Sequence, residues 1–173
     1  MGLHPGNRPE KAIPSFHIQK VSPQAGLAEA AGMGDKLAFL KLVGLAGKAD
    51  AEAQFRLGQL YRDGRGVPKN PSRAVQLFRS AAQANNAAAQ HALGNMYLDG
   101  NGVPQDRAQA ASWIRKAADQ GFADAQVNLG SMFERGEGVT RDSSQAVQWY
   151  RKAADQGNFL AQYNLGALYD AGN

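Results

Sequence analysis

In residues 51–86 the apolar positions form two helical stripes joined by a glycine-containing stretch. The first stripe has spacings of i, i+4, i+7 and i+8, which place its members on one face of an α-helix. It consists of Ala53, Leu57, Leu60 and Tyr61. The second stripe consists of Ala74, Leu77, Phe78, Ala81 and Ala82. Between them, Gly64 suits the left-handed residue that closes a helix, and Asn70 followed by Pro71 is a helix-start signal. The pattern predicts a helix, a short loop and a second helix.

This helical unit returns every 36 residues along the chain. A Leu-Gly pair recurs at that spacing, each time four residues after an Ala-Gln pair; the Leu-Gly pairs are Leu57-Gly58, Leu93-Gly94, Leu129-Gly130 and Leu165-Gly166. A fixed period in this range indicates a solenoid, in which each unit buries its apolar face by stacking on its neighbours. Small residues such as Gly58 and Ala74 are predicted to let paired helices approach closely. We therefore predict an all-α solenoid of stacked helix-loop-helix repeats.

Weaker traces of the same period organise the N-terminal part of the chain. Residues 36–47 repeat the second-helix pattern after a capping Asp35, and residues 26–33 predict a short first helix. Residues 25–50 are therefore predicted to form a degenerate repeat that caps the stack. Residues 1–24 contain four of the seven prolines and no helical stripe, which predicts an extended arm. Residues 51–173 are predicted to hold three full repeats and a terminal half repeat.

The repeated motifs resemble a known family. The pattern AQxxLGxxYxxGxGV, followed by second helices such as ASWIRKAADQG and AVQWYRKAADQG, is similar to the Sel-one-like repeats, a branch of the tetratricopeptide-like solenoids. The resemblance covers about residues 51–173 and implies a right-handed superhelix of helix pairs that acts as an adaptor or scaffold. Some members carry a cysteine pair in each repeat. This chain has no cysteine, which excludes that subgroup.

Composition narrows the classes of partner. The net charge of +4 is mild and not concentrated in a tail, so we expect no nucleic-acid partner. No segment approaches the roughly 18 consecutive apolar residues that a membrane span needs. The first residues lack an apolar core followed by a small-residue cleavage site. The default expectation is therefore a cytoplasmic protein, or a periplasmic one if the chain is a mature form.

The sequence offers little for catalysis. His4, His17 and His91 have neither a second histidine nor a carboxylate at metal-ligand spacing, and no HExxH or GxSxG motif occurs. The Gly-x-Gly loops follow helices and lack the Gly-Lys-Ser/Thr ending of a phosphate-binding loop. We therefore expect no catalytic residue, no metal site, no cofactor and no enzymatic activity.

The positions that vary between copies are the candidate binding residues. In tetratricopeptide-like stacks the first helices line the concave face, so the resemblance implies that their non-consensus residues contact a partner. Aromatic and arginine side chains among mixed polar groups suit recognition of a peptide or protein segment. The predicted partner-binding residues are Glu52, Phe55, Gln59, Arg62, His91, Asn95, Leu98, Asp124, Val127, Ser131, Glu134, Leu160 and Tyr163.

These observations favour a non-enzymatic protein-interaction module, and the near-consensus repeats suggest a bacterial source. One role is a scaffold or adaptor that holds a partner protein or peptide in the concave groove. An alternative is a dedicated inhibitor, such as an immunity-type protein that neutralises a cognate toxic enzyme. A cell-wall-acting hydrolase is a third alternative, disfavoured because no paired carboxylates share a face. The apolar terminal half repeat predicts that this end is covered by a further stretch of natural chain, a second copy or a partner.

Overall fold

The computed structural model describes residues 21–170, and that part of the chain contains nine α-helices and no strand. The predicted all-α solenoid is confirmed. The helices are α1 (Pro23–Gly32), α2 (Lys36–Gly47), α3 (Ala51–Asp63), α4 (Pro71–Gln83), α5 (Ala87–Asp99), α6 (Arg107–Asp119), α7 (Ala123–Arg135), α8 (Ser143–Ala154) and α9 (Phe159–Asp170). None of these described helices is long and apolar enough to cross a membrane.

Local sequence signals set the helix ends. The carboxylate of Asp50 accepts a hydrogen bond from the backbone N–H of Ala53 and caps α3. The side chain of Asn70 does the same for the N–H of Arg73 at the start of α4. At its other end α3 closes on Gly64, whose φ of 70° is left-handed and favours glycine. Caps of this kind satisfy backbone groups that a helix end leaves without an intrahelical partner.

Each repeat is a pair of packed helices, and each second helix also packs on the first helix of the next repeat. Within a pair, a glycine meets a large side chain. A Cβ added at Gly58 would lie 2.7 Å from the ring of Phe78, and one at Gly130 would lie 2.8 Å from the ring of Tyr150. The predicted close approach at these glycines is confirmed, because no side chain fits between the paired helices.

Two apolar clusters fill the stack. The smaller one joins α1 and α2 to α3 and includes Leu42 and Leu57. The larger one runs from α3 to α9 and includes fully buried Phe78, Ile114 and Tyr150. The core is therefore continuous along the repeats, as expected of units that bury their apolar faces on one another.

Buried glutamines connect neighbouring repeats. The amide nitrogen of Gln126 donates to the carbonyl of Ala118, 3.1 Å away, and its oxygen accepts from Gln156 at 2.8 Å. Gln90 makes the equivalent pair of bonds with Ala82 and Gln120. Gln126 and Gln90 belong to the repeated Ala-Gln pairs, so this motif satisfies polar groups at the helix ends between repeats.

The N-terminal helices differ in one respect from expectation. The helix predicted over residues 36–47 is confirmed as α2. Helix α1, however, begins at Pro23, inside the segment assigned to the arm, because Ser22 caps it and proline suits the first helical position. The rest of the predicted arm, residues 1–20, and the last residues of the terminal half repeat, 171–173, lie outside the described residues.

Candidate functional site

The surface formed by α1, α3, α5, α7 and α9, termed here the first-helix face, carries the variable polar side chains. At about 100° per residue, positions 52, 56, 59 and 63 of α3 fall in one narrow row. Arg56 links this row by hydrogen bonds to Glu52 at 2.7 Å and to Gln59 at 3.3 Å. The equivalent rows of α5 and α7 lie 36 and 72 residues further along the chain. Two clefts lie along these rows.

The central cleft spans three consecutive first helices and has a volume of about 310 Å³. Five of its seven lining residues are polar, and the lining consists of His91, Asn95, Asp124, Val127, Asn128, Asn158 and Leu160. The amide nitrogen of Asn128 on α7 lies 2.9 Å from Nε2 of His91 and 3.0 Å from the side-chain oxygen Oδ1 of Asn95, both on α5. Asn158 donates to the carboxylate of Asp124 at 3.2 Å. Hydrogen bonds between repeats therefore hold the cleft's polar groups in place.

His91 is placed as a hydrogen-bond acceptor in this arrangement. The amide nitrogens of Asn95 and Asn128 both point at its Nε2 atom, and amide nitrogens only donate, so Nε2 acts as the acceptor. Burial lowers the pKa of His91 from its ordinary value, and the charge of Asp124 opposes that shift. The ring also packs on Phe122, with 5.3 Å between the ring centroids. The imidazole is a fixed structural member of the cleft.

The N-terminal cleft lies between α1 and α3 and has a volume of about 380 Å³. It carries both charge signs, and its lining is Val21, Ala25, Ala28, Glu29, Arg56, Gln59, Leu60, Asp63 and Arg65. A hydrogen bond from Arg62 lowers the pKa of Asp63, which keeps that carboxylate ionised. The two clefts offer different chemistry, since one is charged and the other is rich in amides.

The structure separates the predicted partner-binding residues into two groups. Those on the row or beside it at the surface are Glu52, Gln59, His91, Asn95, Asp124, Ser131, Leu160 and Tyr163. The others face into the repeat. Phe55 is only 7% exposed, and Val127, which lines the central cleft, is 4% exposed. Both therefore offer little surface to a partner, and their contact with one stays a prediction. The ring of Phe55 packs on that of Phe78, with centroids 5.9 Å apart.

The side chains at position 62 and its equivalents contact their own repeats and stay partly exposed, so their contact with a partner stays a prediction. The guanidinium of Arg62 lies 6.0 Å from the ring of Phe78, on the second helix of the same repeat. Glu134 accepts a hydrogen bond of 2.7 Å from the hydroxyl of Tyr150. Leu98 is half-buried against the main apolar cluster. These side chains stabilise helix pairs, because their positions lie about 90° from the centre of the row, on the side that meets the second helix.

Three site residues were missed from the sequence. Arg56 and Asn128 occupy the position just before the Leu-Gly pair, and Asn158 is the residue before α9. For Arg56 and Asn128 the signal was present in the helical angle, because position 56 lies about 40° from position 52 and about 60° from position 59, on the same face. A comparison of conserved and variable repeat positions, made without the helical angle, does not identify these residues. Within residues 21–170, no group of three or more His, Asp or Glu side chains is placed to hold a metal ion.

Comparisons with known proteins agree with the repeat boundaries. The Sel1 repeat model matches residues 51–86, 87–122, 123–158 and 160–173. A protective antigen of uropathogenic Escherichia coli strains that displays an SLR fold is 36% identical in sequence, with a TM-score of 0.80. The match covers 86% of this chain and 33% of the antigen's chain. A Sel1 repeat protein from Oxalobacter formigenes is 35% identical in sequence, with a TM-score of 0.79, and the match covers 87% of this chain and 61% of that protein's chain. This chain thus spans about one third and three fifths of those two proteins.

Cysteine rich protein B of Helicobacter pylori is more distant. It is 22% identical in sequence, with a TM-score of 0.60, and the match covers 83% of this chain and 98% of the Helicobacter protein's chain. This likeness supports only the assignment of the fold. No curated protein matches the sequence. Four matched repeats, two structural relatives above one-third identity and the regular helix pairs lead to one conclusion. The chain belongs to the Sel1 repeat family.

Proposed function

We propose that this protein is a non-catalytic interaction module that binds a partner protein or peptide segment in the groove along its first-helix face, as a scaffold or adaptor. Sel1 repeat proteins are generally protein-interaction modules, and their fold is typically a non-catalytic scaffold. Family membership therefore supports the class of function. The chemistry of the first-helix face supports the place of binding.

The observation that carries the proposal is the central cleft. Two successive repeats, residues 87–122 and 123–158, contribute polar side chains to it, and the bonds from Asn128 to His91 and Asn95 cross from one repeat to the next. Such bonds fix the side chains before a partner arrives, which reduces the entropy lost on binding. Amide side chains both donate and accept hydrogen bonds. They suit the alternating N–H and C=O groups of an extended peptide main chain.

The N-terminal cleft would add charge to the same interface. Arg56 is only half-buried although it pairs with Glu52 at 2.7 Å, so its guanidinium still faces the cleft. Glu29 and Arg65 line the same space. A partner segment that runs from the central to the N-terminal cleft would meet amides first and then mixed charges. Charged groups at an interface chiefly set specificity and association rate.

Peptide selection on the full chain tests the proposal. Random 12-residue peptides displayed on phage are selected on the immobilised protein, and enriched sequences are measured by calorimetry against variants. We expect Asn128→Ala and Arg56→Ala to weaken binding about tenfold or more, because truncated hot-spot residues cost about 2 kcal/mol. Gln83→Ala, at an exposed site near the end of α4, is the control and should leave affinity unchanged.

The variants must keep their thermal midpoints for the comparison to hold. The proposal fails if no peptide is enriched. It also fails if Gln83→Ala reduces affinity while the two variants of the first-helix face do not. That second outcome would place recognition on the second helices.

A further inference from the structure

The outer face of α9 is shaped like an unfilled helix-docking site. Within residues 21–170 no helix packs on this face in the way that α4 packs on α3. Gly166 has no atom within 4 Å of an added Cβ, whereas the equivalent Gly58, Gly94 and Gly130 each meet a second-helix side chain at 2.5–2.8 Å. The hollow that holds a large side chain in three repeats is open in the fourth.

The side chains around this hollow are apolar and exposed. Tyr163 is 68% exposed, while Phe55 and Val127 at the equivalent position are 7% and 4% exposed beneath their second helices. Phe159, one turn earlier, is also largely exposed. A contiguous apolar surface of this kind marks an interaction site. The repeats themselves show what covers such a surface, because the interface between first and second helices is already formed three times in this molecule.

The helix that fills the site in each complete repeat has one pattern. A large side chain enters the glycine hollow, a buried alanine precedes it by four residues, and two further alanines follow it after three and four residues. The three copies are Ala74, Phe78, Ala81 and Ala82; Ala110, Ile114, Ala117 and Ala118; and Ala146, Tyr150, Ala153 and Ala154. The alanines let the two backbones approach closely, and the large side chain fixes the register.

We propose that the outer face of α9 binds a partner's amphipathic α-helix of this pattern, with a large apolar or tyrosine side chain seated over Gly166. Asp170 lies 36 residues after Glu134, which accepts the hydroxyl of Tyr150 at 2.7 Å. A tyrosine at the central position of the partner helix therefore has an acceptor available. This interface is separate from the groove of the proposed function, since it lies at the end of the stack.

A neighbouring cleft fits the turn that precedes such a helix. It has a volume of about 420 Å³ and is lined by Ser143, Ser144, Val147, Gln148, Arg151 and Tyr169. In the earlier repeats the equivalent surface carries the loop of the next repeat. An added Cβ on loop residue Gly102 would lie 2.4 Å from the backbone of Pro71, and one on Gly138 would lie 2.0 Å from the carbonyl of Arg107. The partner's loop and helix thus have adjoining sites.

The chain's own residues 136–157 provide the probe, because they contain both a loop and α8. The peptide is labelled with a fluorophore and titrated with the full-length protein while its anisotropy is followed. We expect saturable binding that weakens at least tenfold with the protein variant Gly166→Gln, whose side chain occupies the hollow. Gly44→Gln is the matched control, since Gly44 is also helical and has no atom within 4 Å of an added Cβ. It should leave affinity unchanged within about twofold.

A second variant tests the register from the peptide side. Replacing Tyr150 of the peptide by alanine should weaken binding at least tenfold, whereas replacing exposed Gln148 should not. The proposal is overturned if the wild-type protein shows no binding, or if Gly166→Gln binds as well as wild type. Sedimentation in the same buffer identifies the competing occupant. A dimer that Gly166→Gln abolishes, in the absence of peptide binding, would mean that a second copy covers α9 and would also overturn the proposal.

Discussion

Replacing Gly94 by alanine tests the close packing that defines each repeat. The added methyl would lie 2.5 Å from Cγ1 of Ile114 and 3.2 Å from the carbonyl oxygen of Ala110. Carbon atoms pack favourably at about 3.5–4.0 Å, so α5 and α6 must separate locally by roughly 1 Å or more. Overpacking of this size costs about 1–3 kcal/mol. Against it stands the helix propensity of alanine, which is about 1 kcal/mol better than that of glycine.

Gly166→Ala isolates the packing cost. Gly166 is the equivalent position on α9 and has no neighbour within 4 Å, so only the gain in helix propensity remains. We expect the two variants to differ in free energy of unfolding by about 1–3 kcal/mol, with Gly94→Ala the less stable. Urea denaturation followed by circular dichroism at 222 nm measures the difference. Equal denaturation midpoints would refute the reasoning, because they would mean that α5 and α6 tolerate a side chain between them.

Three further predictions concern buried groups. Phe55→Ala should lower the free energy of unfolding by about 3–5 kcal/mol, whereas Tyr163→Ala, at an exposed site, should change it by less than about 0.5 kcal/mol. If chemical denaturation gave the same loss of free energy for both variants, the burial of Phe55 would be contradicted. Folding lowers the pKa of His91, so the unfolded chain binds a proton at a higher pH than the folded chain, and the free energy of unfolding should fall as the pH drops below about 6.5. Between pH 7.5 and pH 5.5 the thermal midpoint should therefore fall further for wild type than for His91→Gln. Gln126→Ala should cost about 1–3 kcal/mol by removing one hydrogen bond to Ala118 of the preceding repeat and one to Gln156 of its own repeat. Gln162→Ala, at an exposed site where the amide lies 3.5 Å from its acceptor, should cost much less in the same urea assay.

The architecture followed from the sequence because two independent signals coincide in every copy. The 36-residue period gives the repeat, and the caps and glycines give the ends of its helices. Asp106 and Asp142, for example, each accept a hydrogen bond from the backbone N–H three residues further on and so cap the helix that follows. Only α1 was misplaced at its start, since Ser22-Pro23 is a start signal that the proline-containing arm obscured.

The binding surface was harder to predict because it depends on how a first helix is rotated about its axis. Variable positions 55 and 62 suggested a partner, but both turn toward the second helix, where Phe55 and Arg62 meet Phe78. The rotation is fixed by the glycine at position 58, which must face the second helix for the pair to close. Once that contact is known, the row through Glu52 and Arg56 follows from helix geometry.

One position shows how neighbouring helices determine the role of an otherwise variable residue. Phe55, His91, Val127 and Tyr163 are equivalent by repeat, yet their surroundings differ. Phe55 packs on an aromatic ring of its own second helix, and His91 packs on Phe122 and accepts hydrogen bonds in the central cleft. Tyr163 is exposed because no described helix covers it. The same backbone position therefore supports the core in one repeat, a polar cleft in another and an exposed apolar surface in the last. The position of a residue in the repeat determines where its side chain points, and the packing of the next helix determines whether that side chain is exposed to a partner.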